Sequence, residues 1–242
     1  MREAGGRVVL GRRAVAELVG TAFLVAAVVG SGIAAQRLSP DDTGLQLLEN
    51  SLATGAILVA LILALQPVSA SFNPVVTLVE RALGRVDTVT AAVLVVAQFA
   101  GGLVGVVVAN LMFDLDAITI STRDRGGSGD LLAEVVATLG LVLVVFGAMR
   151  SARVETVAFA VGGYIAAAYW FTSSTSFANP AVTIARMFSD TFAGIAPDSV
   201  LPFIGMQLIG GILGAGLVLL LHPTPEAPAE PAPDPVAAKE LR

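Results

Sequence analysis

Cysteine is absent from the chain and histidine occurs once, at His222. Disulfides and thiolate metal centres are thereby excluded, and one imidazole makes no metal site. Only 14% of the residues are charged, against about 25% in an ordinary soluble domain. No basic patch with interleaved aromatics offers a surface to nucleic acid. No paired nucleophile and base, metal cluster or phosphate-cradling loop equips an enzyme, and no cofactor is implied. Apolar residues are plentiful instead: 55% of the 242 are hydrophobic, an excess that needs lipid to cover it.

Crossing the ~30 Å hydrocarbon layer takes roughly 20 mostly apolar residues per helix. Six stretches qualify: 14–35, 47–65, 86–113, 131–149, 154–171 and 200–221. The expectation is an all-α membrane protein with a membrane domain at 14–222, a short segment 1–13 before it, and a tail at 223–242. The tail is mostly Pro, Ala and Glu, a composition that reads as disordered. Arg12-Arg13 ahead of an apolar run imitates a secretory leader, but the run exceeds the usual core of about 7 to 15 residues and carries Glu17.

An internal repeat organises the chain. Ala16-Glu17-Leu18-Val19-Gly20-Thr21 is echoed by Ala133-Glu134-Val135-Val136-Ala137-Thr138, and Ser71-Phe72-Asn73-Pro74 by Ser176-Phe177-Ala178-Asn179-Pro180. Gln98, Gly101, Gly102 and Gly105 match Gln207, Gly210, Gly211 and Gly214. The offsets of 117, 106 and 109 residues keep one order. Two halves, about 14–113 and 131–221, each hold three spans, and an odd number of crossings sends the second half in from the opposite face. Inverted repeats are a recurrent plan among membrane transport proteins. With the N-terminus inside, Arg2, Arg7, Arg12, Arg13, Arg81, Arg85, Arg150 and Arg153 fall in the cytoplasm, and only Arg37, Arg123, Arg125 and Arg186 outside. That bias places both termini in the cytoplasm.

Between spans lie two segments too short to cross, Asn73 onward to Leu83 and Asn179 onward to about Phe188. Ten helical residues cover ~15 Å, half the hydrocarbon. Asn is a preferred N-cap and Pro is preset for the first helical position, so each segment reads as a re-entrant half-helix beginning at its Asn. Entering from opposite faces, the two would meet at the midplane with both amides and both positive helix ends on one spot. Water held there donates its hydrogens outward, which breaks a proton-conducting file. The reading is a passive channel for small uncharged solutes that excludes ions and protons. The competing reading, an ion-coupled secondary transporter, also uses inverted repeats and broken helices but needs a charged coupling residue beside the breaks.

With its Ala-Glu-Leu-Val-Gly-Thr opening, two Asn-Pro segments and Gln-x-x-Gly-Gly-x-x-Gly spans, the chain resembles the major intrinsic protein family, the aquaporins and aquaglyceroporins, over nearly all of Val15 to Leu221. The resemblance implies six transmembrane helices plus two half-helices, one pore per subunit, a homotetramer, and a bacterial inner-membrane location. It puts Asn73, Pro74, Val75, Asn179, Pro180 and Ala181 at the pore midplane. It gives Glu17 and Glu134 the structural role of accepting hydrogen bonds from a re-entrant loop, the rival being a proton relay.

Two departures from the family stand out. Val75 replaces the usual Ala, and Val182 stands where most members carry the arginine of the selectivity filter. The other filter positions, by similarity, are Thr54, Ala168 and Phe177. Small side chains in place of a guanidinium leave a wider, more apolar mouth, which speaks for solutes of glycerol size; some bacterial members without that arginine are associated with arsenic detoxification, which points to metalloid or methylated arsenic acids as further cargo. Arg186 lies one helical turn beyond Val182; the favoured reading is that it snorkels to the surface, the rival that it supplies the missing charge. Tyr169, Trp170 and Phe171 read as an interfacial aromatic belt.

Overall fold

The computed structural model describes residues 2–151 and 153–222, so the predicted disordered tail lies outside the described residues. Among them the elements are all helical: α1 (Arg2–Leu38), α2 (Thr43–Leu65), α3 (Pro74–Ala82), α4 (Thr88–Met112), α5 (Ser128–Ala148) with a 3-10 turn at Met149–Ser151, α6 (Val154–Phe171), α7 (Pro180–Arg186) and α8 (Pro197–Leu221). Five helices, α1 over Val8–Leu38, α2, α4, α5 and α8, are long and apolar enough to cross a membrane. The sixth, α6, has 18 residues and covers ~27 Å at 1.5 Å per residue, close to the hydrocarbon thickness. From Arg2 onward the segment expected to precede the first span is already part of α1, since no proline interrupts residues 2–38.

Local chemistry sets the starts. The Asp42 and Asp87 carboxylates accept the N–H groups of Leu45 and Thr90, 2.9 Å each, and so cap α2 and α4. Asn73 and Asn179, both in extended backbone, cap α3 and α7 with Pro at the first helical position. The half-helices are short, nine and seven residues, which is ~14 Å and ~11 Å of axis.

Each half pairs its first and third long helix: α1 lies on α4, and α5 on α8. Glycines make this possible. A Cβ on Gly101 would run into the Leu18 carbonyl of α1, and one on Gly210 would come within 2.5 Å of the Val135 carbonyl of α5; the small-xxx-small faces are backbone-to-backbone contacts. The halves join where α2 crosses α6. There Gly55 and Gly162 face each other, a Cβ on either lying within 3 Å of the other's carbonyl. α7 packs on α4 and α3 on α8, so each half-helix leans on a long helix of the opposite repeat and the two meet in the interior.

Candidate functional site

The loops that lead into α3 and α7 are held by one buried carboxylate each. Glu17, fully buried in α1, accepts from Ser69 Oγ (2.6 Å), the backbone N–H groups of Ser71 (2.9 Å) and Phe72 (2.7 Å), and Gln98 Nε2 (2.7 Å). Glu134 repeats the arrangement in α5, accepting from Ser174 Oγ (2.6 Å), the N–H groups of Phe177 and Ala178 (2.9 Å each), and Gln207 Nε2 (2.7 Å). Both glutamines also donate to a half-helix threonine, Thr77 and Thr183. The carboxylates thus bind three layers together: a long helix, the re-entrant loop and the glycine-bearing helix. They are enclosed by donors, and neither lines the conduit described below.

This grip fixes an unusual backbone. Phe72 and Ala178, immediately before the capping asparagines, both have φ +47°, a left-handed conformation that side chains resist. With their N–H groups bonded to Glu17 and Glu134, their carbonyls point to the opposite half. Asn179 Nδ2 donates to the Phe72 carbonyl (2.8 Å), and Asn73 Nδ2 to the Ala178 carbonyl (2.7 Å). Each Asn Oδ1 caps its own half-helix, Asn73 taking the Val75 N–H and Asn179 those of Ala181 and Val182. An amide NH2 has two hydrogens. One crosses to the other repeat, and the second is left to serve as the donor that the sequence places before a passing solute.

The loop register also differs from the sequence alignment of the repeats. The sequence repeat matches Phe72 with Phe177, but the backbone conformation and the carboxylate bond pair Phe72 with Ala178. The second loop carries one extra residue, with Thr175 and Ser176 also at positive φ. Phe177 is thereby out of register with Phe72.

Asn73 and Asn179 open onto a cavity between the helices. Its wall is built from stripes at four-residue spacing, which keeps side chains on one helix face: Leu24 and Val28 of α1, Thr54, Leu58 and Ile62 of α2, Leu141 and Val145 of α5, and Val157, Val161, Ile165 and Tyr169 of α6. Val76 of α3 and Val182 of α7 complete it, with Ser71, Ser176 and Phe177 from the loops. The wall is mostly aliphatic. Its polar exceptions include the hydroxyls of Thr54 and Tyr169, which lie 3.1 Å apart.

Of the residues assigned to the filter from the sequence, Thr54, Phe177 and Val182 lie on this wall. Ala168 does not. It is fully buried, its carbonyl accepts from the Thr172 hydroxyl at 2.6 Å, and the wall position belongs to its neighbour Tyr169. The 157, 161, 165, 169 spacing is the signal that finds Tyr169. The aromatic belt at the end of α6 accordingly loses one member: Trp170 and Phe171 are exposed, Tyr169 is buried. Pro74, Val75, Pro180 and Ala181 stand behind the wall, where Val75 fills the space over Gly211, whose Cβ would meet Val75 at 2.5 Å.

Arg186 corrects a second expectation. It does not snorkel to a surface: it is 2% exposed and lines the cavity. Its Nε donates to the Ala193 carbonyl, and its guanidinium lies 3.4 Å from the centre of the Phe177 ring. Arg125 covers the same ring at 4.9 Å and donates to the carbonyls of Gly194, Ser174 and Phe192. Burial, and then the charges of Arg186 and Arg123, pull Arg125 well below the usual guanidinium range.

Comparison with known proteins agrees with this architecture. The family model of the major intrinsic proteins matches residues 6–157 and 130–233. The chain is 49% identical to the aquaglyceroporin AqpS of Rhizobium meliloti (strain 1021) over 216 residues, 88% of this chain and 92% of that protein. It is 29% identical to aquaporin Z of Photorhabdus laumondii subsp. laumondii over 231 residues, 87% of this chain and 97% of that one. The X-ray structure of the aquaglyceroporin from Plasmodium falciparum superposes with a TM-score of 0.68 at 17% identity, over 86% of this chain and 95% of the other. On the family match and the extent of these relationships, the chain belongs to the major intrinsic protein family of passive membrane channels.

Proposed function

We propose that the conduit passes small uncharged solutes of glycerol size, together with water, down their gradients, and that Asn73 and Asn179 form its midplane. The observation that carries this reading is the reciprocal amide bond, Asn73 to Ala178 and Asn179 to Phe72, made by two asparagines that line a mostly aliphatic cavity. A solute hydroxyl there meets two leftover amide hydrogens and the positive ends of two half-helices, and elsewhere an apolar wall. Thr54, Tyr169, Phe177 and Val182 form the filter in this proposal; the side chain at 182 carries no charge and admits bulkier solutes than an arginine there would. The kinship with an aquaglyceroporin supports the glycerol-sized cargo, and trivalent or methylated arsenic acids are candidates of the same size and neutrality.

The finer assignments follow the same reading. Residues 14–222 are the channel domain, both termini lie in the cytoplasm of a bacterial inner membrane, α7 enters from the outside, and four copies assemble. The arginine bias along the chain supports that orientation. The ion-coupled alternative is not favoured: no carboxylate lines the cavity among the described residues.

The test is reconstitution of the full chain in liposomes, with light scattering after osmotic shock by glycerol, urea or a trivalent arsenic acid. Flux should rise linearly with gradient and ignore imposed proton or sodium gradients. Saturation coupled to either gradient would overturn the reading.

A further inference from the structure

We propose that Arg186 is the specificity-determining cation of this channel, supplied one helical turn beyond the position at which the sequence lacks it. This rests on the reading of the cavity as the solute path. Residues 182 and 186 share a face of α7, four residues or ~6 Å of axis apart, and both line the cavity. The channel therefore carries an apolar tier at Val182 and, further toward the mouth, a charged tier at Arg186.

Three observations support it. First, the guanidinium is buried at 2% exposure, and no carboxylate forms an ion pair with it among the described residues. A buried, unpaired charge is costly unless something solvates it. Second, of its five N–H donors only Nε has a protein acceptor, the Ala193 carbonyl. The two terminal amino groups have no protein partner, and they are not among the polar atoms sealed away from open space. The space they reach is the cavity. Third, the placement is built. Phe177 supports one face of the guanidinium. Arg125 holds the Gly194 carbonyl next to the one that receives Nε, at 2.9 Å, so the loop that anchors Arg186 is itself pinned. Arg125 differs in that its Nε, Nη1 and Nη2 all go to backbone carbonyls. It is a brace, whereas Arg186 keeps its fork free.

The ligand this suits is a neutral solute with oxygen acceptors, a polyol, an amide or an undissociated oxyacid. Its oxygens take the free guanidinium hydrogens with the Thr54 and Tyr169 hydroxyls nearby on the wall, and its carbon skeleton slides past Val182 and Phe177. Cations meet an uncompensated positive charge before they reach the asparagines.

The experiment uses the full chain in liposomes with an entrapped pH dye and a potassium gradient. Arg186→Met should raise potassium and proton leak tenfold or more and flatten the ranking of glycerol over an apolar alcohol of equal size. Arg186→Lys keeps the charge but not the planar fork; it should hold the leak near the wild-type level while the ranking changes. The double variant V182R/R186M should recover ion exclusion by returning a guanidinium to the wall one turn inward. If Arg186→Met leaks no more than wild type and ranks solutes alike, the proposal fails. If Arg186→Met is poorly folded, Arg186→Lys decides: a leak raised tenfold with retained fold would overturn it, and a low leak with altered ranking would sustain it. Thr54→Trp, in the wild-type background, separates the two levels. Continued flux there would refute the cavity as the path, while blocked flux alongside a tight Arg186→Met would refute only the arginine.

Discussion

Asn73 and Asn179 never bond to each other; each donates to the carbonyl that precedes the other, 2.7 Å and 2.8 Å away. The two repeats are thus stitched at their centre by side chains that also cap the half-helices. Replacing Asn179 by Asp tests the arrangement. The carboxylate can still cap α7, but it has no hydrogen for the Phe72 carbonyl and adds negative charge beside the lumen. Proton leak through reconstituted Asn179→Asp should rise at least several-fold, and loss of the crossing bond should cost about 1–3 kcal/mol of stability. An unaltered leak in a dye-loaded vesicle would speak against a midplane barrier at this residue.

The paired carboxylates give a second expectation. Glu134 meets donors only, from Ser174, Phe177, Ala178 and Gln207. Glutamine in its place turns an NH2 group toward those donors, orphaning at least one of them at roughly 1–3 kcal/mol and loosening the positive-φ residue Ala178. Glu134→Gln and Glu17→Gln should each lower the melting temperature of the solubilised protein and the flux per molecule. A proton-relay role predicts the reverse pattern, with stability kept and a pH-dependent flux lost, and the melting curve distinguishes them.

These features were legible in the sequence because their chemistry is local. Asn-Pro caps a helix wherever it occurs, and a glutamate recurring at an offset of 117 in an apolar span advertises a fixed polar partner. What escaped depends on geometry beyond the local motif. Tyr169 replaced Ala168 on the wall because helix phase is set by packing against α2, and a shift of one residue turns the face by ~100° at 3.6 residues per turn. The one-residue insertion before Asn179 moved Phe177 out of register with Phe72, and no propensity reveals where a loop absorbs an extra residue. The burial of Arg186 is not legible in the sequence because the carbonyl that receives it belongs to Ala193, in a loop that gives no motif of its own.

At the filter, Val182→Arg should narrow the apolar tier and place a second guanidinium within one turn of Arg186. Glycerol and arsenic-acid flux should fall at least fivefold and water flux less. Equal scattering rates for glycerol in the variant and the wild type would remove Val182 from the filter. Tyr169→Phe is the subtler probe. It removes the hydroxyl 3.1 Å from Thr54 Oγ1 without changing the width, so a shift in solute ranking without a change in size limit is the expected outcome.

Val75 and Gly211 supply a test of packing that is independent of transport. Val75 is 2% exposed, and a methyl added at Gly211 would sit 2.5 Å from its Cγ1. In the other half the equivalent pair is Ala181 against Gly102, where the added methyl would meet the Ala181 carbonyl at 3.1 Å. The bulkier valine in the first motif is therefore matched by a glycine with no room to grow. Gly211→Ala should destabilise by about 1–3 kcal/mol, the usual cost of overpacking, and Val75→Ala should relieve much of that loss when combined with it. The coupling energy from the double-mutant cycle is then negative in the sense of rescue. Simple additivity of the two changes in melting experiments would mean that α3 and α8 do not touch at this point, and the packing of the first half-helix on the opposite repeat would need another explanation.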